Sequence, residues 1–281
     1  MIQSPDIALT TEDGHRYSLL ARVPDHPRAA LLWLPALGVA ARHYLPLAEA
    51  FASQGVAVFL HEMRGNGSSN LRASRATDWG YREILSADLA CSHAAMTDPC
   101  GDMPHFIGGH SIGAQFAACY AGLHGDSFRR LWLVASGSPY WRNFPAPRRY
   151  VFPFAFQFVP WLADRLGTLP GRRLGFGGDE ARTLMRDWAS VGLSNRYAAA
   201  GLDVDLEAAL ASVTARVDSI LLERDWFAPR KSMQGLLAKM PRAASSLQVL
   251  DSAALGVRAD HFAWMKQPQA VCAALLASAA A

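Results

Sequence analysis

His105-Phe-Ile-Gly-Gly-His-Ser-Ile-Gly-Ala-Gln-Phe-Ala117 changes its period at a single residue. It starts as a short apolar run, as expected of a strand buried on both faces, and continues as a helix of small and apolar residues. The junction is Gly109-His-Ser-Ile-Gly113, which matches G-x-S-x-G. Small residues on either side of Ser111 permit a sharp strand-to-helix turn with close packing. Such a turn pushes the hydroxyl into a cleft beside the positive end of the helix. Ser111 is therefore the candidate nucleophile.

The flanking pattern supplies a sheet for this turn to sit on. Ile7 to Thr10 and Tyr17 to Val23, around the turn signal Glu12-Asp13-Gly14, predict an antiparallel hairpin. Apolar runs at Ala29–Leu34, Val56–Leu60, His105–Gly108, Leu131–Ala135, Ser219–Glu223 and Ser246–Leu250 predict buried strands. Helical stretches at His43–Gln54, Arg82–Met96, Ser111–Leu123 and Lys231–Met240 alternate with them, and a last helix starts near Phe262. Strand–helix alternation of this kind means right-handed crossovers and an α/β fold with a mostly parallel sheet.

Residues 138–197 break the rhythm. They hold a dense set of aromatics, including Tyr150, Phe152, Phe154, Phe156, Phe158 and Trp161, broken by prolines and followed by Gly175-Phe-Gly-Gly178. A connection this long inside a compact domain must have structure of its own. The expected organisation is a core over residues 1–138, an inserted helical cap over 139–200, and the rest of the core over 201–281. The cap's aromatics could line an apolar acyl pocket, or glue the cap to the sheet. They could also form an interfacial patch, but Tyr150 to Leu162 is short, is interrupted by Pro153 and Pro160, and lacks a clear polar face.

A serine hydroxyl needs a base. Behind an elbow of this kind the partners follow in the order serine, acid, histidine. Only His124 and His261 come after Ser111. His124 falls at the far end of the helix that the serine starts, whereas His261 lies between the last strand and the last helix. His261 is the candidate base. Leu221-Leu-Glu-Arg-Asp-Trp-Phe-Ala-Pro229 offers Glu223 and Asp225 as acids. Glu223 reads as the end of the strand, while Asp225 begins the loop in a D-x-x-x-P arrangement, so Asp225 is chosen to orient His261. Asp260 is too close in sequence to reach the ring of His261 and reads as solvated or structural.

Acyl transfer also needs two backbone amides aimed at a developing oxyanion. Ile112, after the nucleophile, supplies one. The loop Leu34-Pro-Ala-Leu-Gly38 supplies the other. Pro35 has no N–H; Ala36 and Leu37 both do, and Leu37 is the choice.

These motifs, with the loop Arg64-Gly-Asn-Gly-Ser-Ser69, resemble the α/β-hydrolase superfamily. Leu34-Pro-Ala-Leu-Gly-Val39, Asp78-Trp-Gly-Tyr-Arg-Glu83, Pro170-Gly-Arg-Arg-Leu-Gly175 and Asp225-Trp-Phe-Ala-Pro229 are similar to bacterial predicted hydrolases of the serine aminopeptidase and lysophospholipase-like branch. The likeness spans nearly the whole chain and implies the α/β-hydrolase fold with its catalytic machinery. Substrate is not implied. The arginine–glycine loop reads as structural support beside the site, and it lacks the spacing of a phosphate loop.

Composition narrows the rest. The chain is 51% hydrophobic and 18% charged, with a net charge of +3. No run of Lys or Arg marks a nucleic-acid partner. No segment reaches the roughly 18 uninterrupted apolar residues of a membrane span, and Met1 to Thr10 lacks the basic-then-apolar layout expected of a signal peptide. A membrane partner is not expected. Cys91, Cys100, Cys119 and Cys272 form no metal-ligand or CxxC spacing and read as free thiols in the cytoplasm. Neither metal nor organic cofactor is required. The expected function is hydrolysis of a carboxylic ester, or related acyl bond, of a small molecule with an apolar group. Amidase or aminopeptidase, thioesterase and acyltransferase chemistry share the same residues. A catalytically silent binding protein on this fold is the rival of another class.

Overall fold

A computed structural model describes residues 1–280. Eleven strands are present among them: β1 (Ile2–Gln3), β2 (Asp6–Thr10), β3 (Arg16–Pro24), β4 (Ala29–Leu34), β5 (Val56–Leu60), β6 (His105–His110), β7 (Arg130–Val134), β8 (Leu169–Pro170), β9 (Asp179–Glu180), β10 (Arg216–Leu222) and β11 (Ser245–Leu250). Nine build the main sheet in the order β1-β3-β5-β4-β6-β7-β10-β11, with β2 also pairing β3. β2 and β3 form the expected antiparallel hairpin, Ile7 opposite Leu19. From β5 to β11 every neighbouring pair is parallel. This is the α/β-hydrolase fold.

The helices are α1 (Leu45–Ala52), α2 (Tyr81–Glu83), α3 (Leu89–Cys100), α4 (Ile112–Leu123), α5 (Arg148–Leu166), α6 (Gly171–Leu174), α7 (Arg182–Ser194), α8 (Leu206–Ser212), α9 (Arg230–Leu237), α10 (Ser252–Leu255) and α11 (Gln269–Ala280). They cover both faces of the sheet, as an apolar parallel sheet requires. β4 shows how alternation divides the core: Leu31 and Trp33 pack with Tyr44, Phe51 and Trp264 on one face, while Leu32 and Leu34 pack with Phe59, Ile107 and Phe116 on the other.

Three helices differ from the sequence pattern. The one expected from His43 opens as a 3-10 turn, Ala41–Tyr44, before α1. The one expected over Arg82–Met96 contains a π-turn, Ile84–Asp88, between α2 and α3. The last helix starts late. Phe262 precedes a 3-10 turn, Ala263–Lys266, and α11 begins only after Pro268. A proline disfavours the helical region for the residue before it, and Gln267 indeed sits at φ −137° and ψ 72°.

Between β7 and α8 lie a 3-10 turn (Trp141–Asn143), α5, the two-stranded β8–β9 ribbon, α6 and α7. Pro153 and Pro160 lie inside α5 without ending it. Among the described residues no helix is long and apolar enough to cross a membrane. The four cysteines are free thiols.

The parallel strands end together on one side, where β4 separates β5 from β6 and the strand order reverses. Crevices at such a switch point are where ligands bind in open α/β sheets. The loops after β4, β6, β10 and β11 all reach this edge.

Candidate active site

Ser111 joins β6 to α4 at φ 57° and ψ −124°, a conformation that a non-glycine residue adopts only under constraint. Three hydrogen bonds impose it. The Ser111 amide donates to the Val134 carbonyl at 3.0 Å, while the Ser111 carbonyl accepts from the Ala114 amide at 3.1 Å and the Ser136 hydroxyl at 2.6 Å. Gly113 lets α4 start hard against the β4 loop. A Cβ there would stand 2.4 Å from the carbonyl oxygens of both Leu34 and Pro35.

The sequence-predicted residues converge on this turn. His261 Nε2 lies 3.0 Å from Ser111 Oγ, and His261 Nδ1 lies 2.7 Å from Asp225 Oδ2. The Asp225 carboxylate is fully buried, and its other oxygen accepts the amides of Phe227 at 2.9 Å and Ala228 at 3.3 Å. Those two amides fix the carboxylate so that one oxygen can only face His261. Glu223 follows the end of β10 and is exposed; it takes no part. Asp260 turns away, its Oδ1 accepting the amides of Phe262 and Ala263. His124 packs on Tyr120 at the far end of α4.

Two backbone amides lie beside Ser111. Between the two amides left open by sequence, Ala36 donates to the Tyr44 hydroxyl at 2.9 Å. The Leu37 amide has no protein acceptor among the described residues. Ile112 is the first residue of α4 and has no preceding turn to receive its N–H. Leu37, Ser111 and Ile112 line one cavity.

Sequence reading missed Tyr44 and His110. The Tyr44 hydroxyl also lies 2.7 Å from His110 Nδ1, and the His110 ring is 4.7 Å from that of His261. Burial, and then the nearby His261, push the His110 imidazole well below its usual range, so it stays neutral and adds no charge against a protonated His261. The only sequence signal was the second position of G-x-S-x-G, which the motif leaves unspecified. Arg64 proves structural, forked onto the buried Asp88 at 2.7 Å through Nε and Nη2, and Asp88 also holds His15 at 3.0 Å.

The cavity has a volume of about 230 Å³ and is walled by Phe144, Phe152, Phe156, Phe176, Trp188 and Phe227. Among the described residues no Asp, Glu, Lys or Arg lines it. Its polar groups are mostly engaged: Ser136 on Ser111, Ser232 on the Ser138 carbonyl, and Gln115 Oε1 by the Tyr197 hydroxyl. Among the described residues no group of three or more His, Cys, Asp or Glu is placed to hold a metal ion.

Glu180 holds the Gly178 turn that packs against the Leu37 loop. A Cβ on Gly38 would fall 2.1 Å from the Gly178 nitrogen, so the two backbones touch, and Gly178 N–H donates to the buried Glu180 Oε1 at 2.6 Å. Burial pushes the Glu180 carboxyl up to about 7. Its folded pKa lies above the ordinary 4.5, so the native state binds the proton more tightly. Its contribution to stability is complete below about pH 4.5 and is lost as pH rises through about 7. Glutamine keeps the acceptor and carries no charge. Urea melts of wild type and Glu180→Gln are expected to show the variant gaining about 3 kcal/mol on wild type between pH 4 and pH 8. An equal difference at both pH values would contradict the assignment.

A family model for serine aminopeptidases (Serine aminopeptidase, S33) matches residues 25–191, more than half of the chain. The chain belongs to this family. The match includes Ser111 and stops before Asp225 and His261, which the fold brings to it. Solved structures agree on the architecture. A hydrolase from Pseudomonas aeruginosa PA01 superposes with a TM-score of 0.67 at 16% identity, covering 98% of each chain. The thioesterase domain from the curacin biosynthetic pathway gives 0.61 at 15% identity, over 98% of this chain and 99% of that one. An esterase from Pyrococcus furiosus gives 0.59 at 16% identity, over 99% and 90%. At such identities the likeness is one of fold. No curated protein matches the chain. The protein is thus a family hydrolase with a serine, a histidine and a carboxylate hydrogen-bonded in series beneath an apolar cavity.

Proposed function

We propose that the protein hydrolyses carboxylic esters of apolar acyl groups, with Ser111 as nucleophile, His261 as general base and Asp225 as the residue that orients it. The observation that carries this reading is the unbroken series Asp225–His261–Ser111, opening into a cavity without a charged side chain. Ser111 attacks the carbonyl as His261 takes its proton, and the amides of Leu37 and Ile112 receive the oxyanion. His261 then protonates the leaving alkoxide and activates water against the acyl-enzyme. Residues 139–200 act as a cap that keeps the acyl group dry.

The cavity sets the substrate class. An apolar cavity of ~150 Å³ admits benzene, so one of about 230 Å³ suits a medium acyl chain or an arylacyl group. Aminopeptidase chemistry is the second reading, since the family carries that description. It needs an acid to hold the substrate's α-ammonium, and an ammonium brought unpaired into this aromatic cavity would meet a large desolvation cost. Esters of apolar acids are therefore favoured over aminoacyl substrates.

The test is a panel of nitrophenyl acyl esters of rising chain length, the matching thioesters, and aminoacyl anilides. The expected result is a maximum among medium-chain esters, with kcat/KM for every aminoacyl anilide at least 100-fold lower. Preference for aminoacyl anilides would reverse the assignment. No turnover of any member by folded protein would favour a binding protein on this fold.

A further inference from the structure

α5 is apolar on two opposite faces. Phe152, Ala155, Phe156 and Val159 recur at helical spacing on one, and they line the cavity above Ser111. Tyr150, Phe154, Phe158 and Trp161 recur at the same spacing on the other, with Val151 at its edge. That second face is open: Phe154 is 73% exposed, Val151 60%, Tyr150 57%, Trp161 53% and Phe158 52%. Single exposed apolar residues need no explanation, but five on one helix face form a patch that marks a binding surface. The missing polar face that argued against an interfacial segment in the sequence has a structural cause: the inward face lines the cavity, so it is apolar for a different reason.

Charge indicates what covers the patch. Residues 140–180 contain six arginines, Arg142, Arg148, Arg149, Arg165, Arg172 and Arg173, against Asp164, which pairs with Arg186 at 2.8 Å, Asp179, which lies 4.0 Å from Arg172, and the buried Glu180. Three of the arginines lie over exposed aromatic rings: Arg149 on Tyr150 at 4.8 Å, Arg148 on Trp226 at 4.8 Å and Arg165 on Trp161 at 5.7 Å. A second copy of the chain meeting this face through a two-fold axis would bring the same arginines together. An anionic surface with an apolar layer beneath satisfies both halves of the patch, because aromatic rings settle at the headgroup–acyl boundary and guanidinium groups pair with phosphates.

We propose that the outer face of α5 docks on an anionic phospholipid bilayer. The proposal goes beyond the ester hydrolase reading and does not depend on it, since binding is measured without turnover.

The experiment is co-sedimentation of the full chain with vesicles of phosphatidylcholine alone and of phosphatidylcholine with phosphatidylglycerol. The proteins are wild type, Phe154→Ser with Trp161→Ser, and Arg149→Gln with Arg165→Gln, each checked for an unchanged melting transition. Wild type is expected to bind the anionic vesicles at least ten-fold more tightly than neutral ones and to release in high salt. Both variants are expected to lose binding at least ten-fold. Failure of wild type to sediment with anionic vesicles would overturn the proposal, as would binding that neither variant weakens. A wild type that is dimeric without lipid, made monomeric by the Phe154/Trp161 variant and indifferent to vesicles, would assign the face to a second copy of the chain.

Discussion

Replacing His261 by alanine is expected to lower kcat for an acyl ester by about a million-fold, because nucleophile and base in such a constellation act as one unit. His261 Nε2, 3.0 Å from Ser111 Oγ, is placed to take the serine proton. His110 is near enough to suggest itself as a substitute, but its Nδ1 is engaged by Tyr44 and its ring is fully buried. The variant also leaves the buried Asp225 carboxylate without its partner, for a stability loss of about 3–5 kcal/mol. That loss does not exceed the ~5–15 kcal/mol of an ordinary domain. Kinetics alongside a denaturant melt therefore separate the two effects. A kcat within a hundred-fold of wild type, in a folded variant, would remove His261 from the mechanism.

Asp225→Asn is expected to lower kcat about ten-thousand-fold at neutral pH with little change in shape. The reason lies in the two oxygens of the carboxylate. Oδ1 accepts the Phe227 and Ala228 amides, and Oδ2 faces His261 Nδ1. An asparagine must keep its oxygen on those two amides, or leave both buried donors opposed by an NH2 group. Its NH2 is thereby turned to Nδ1, which becomes an acceptor, and the imidazole proton moves to Nε2. A ring protonated at Nε2 cannot take the Ser111 proton. Steady-state kinetics give the rate, and a crystal structure or imidazole proton shifts report the tautomer. Wild-type kcat in this variant would mean that Asp225 is only a structural loop residue.

The fold and the three central side chains were legible because each rests on local rules. The period change at Ser111 needs glycines on both sides, and the contact between Gly113 and the β4 loop shows why. His261 stood out by chain order and Asp225 by its place just beyond a strand. What stayed hidden depends on long-range neighbours. Tyr44 lies in a turn whose sequence resembles an ordinary helix start, yet its hydroxyl engages Ala36 and so leaves Leu37 as the open amide. Ser136 looks like a loop residue until the Ser111 carbonyl is seen beneath it. The late start of α11 could have been read from Pro268, whereas the π-turn at Ile84–Asp88 has no sequence signal that we recognise. α5 is hard to read from sequence for a reason specific to its place. Periodicity sorts one apolar face from one polar face, and a helix with a cavity on one side and an open aromatic patch on the other defeats that sorting.

The central claim is that Ser111 is a nucleophile activated where it stands. The most direct measurement is fluorophosphonate labelling of the purified chain, with the modified peptide located by mass spectrometry. Stoichiometric label on the peptide containing Ser111, abolished by Ser111→Ala and strongly slowed by His261→Ala, is the predicted result. A folded wild type that resists the probe, or a label carried by another serine, would contradict it.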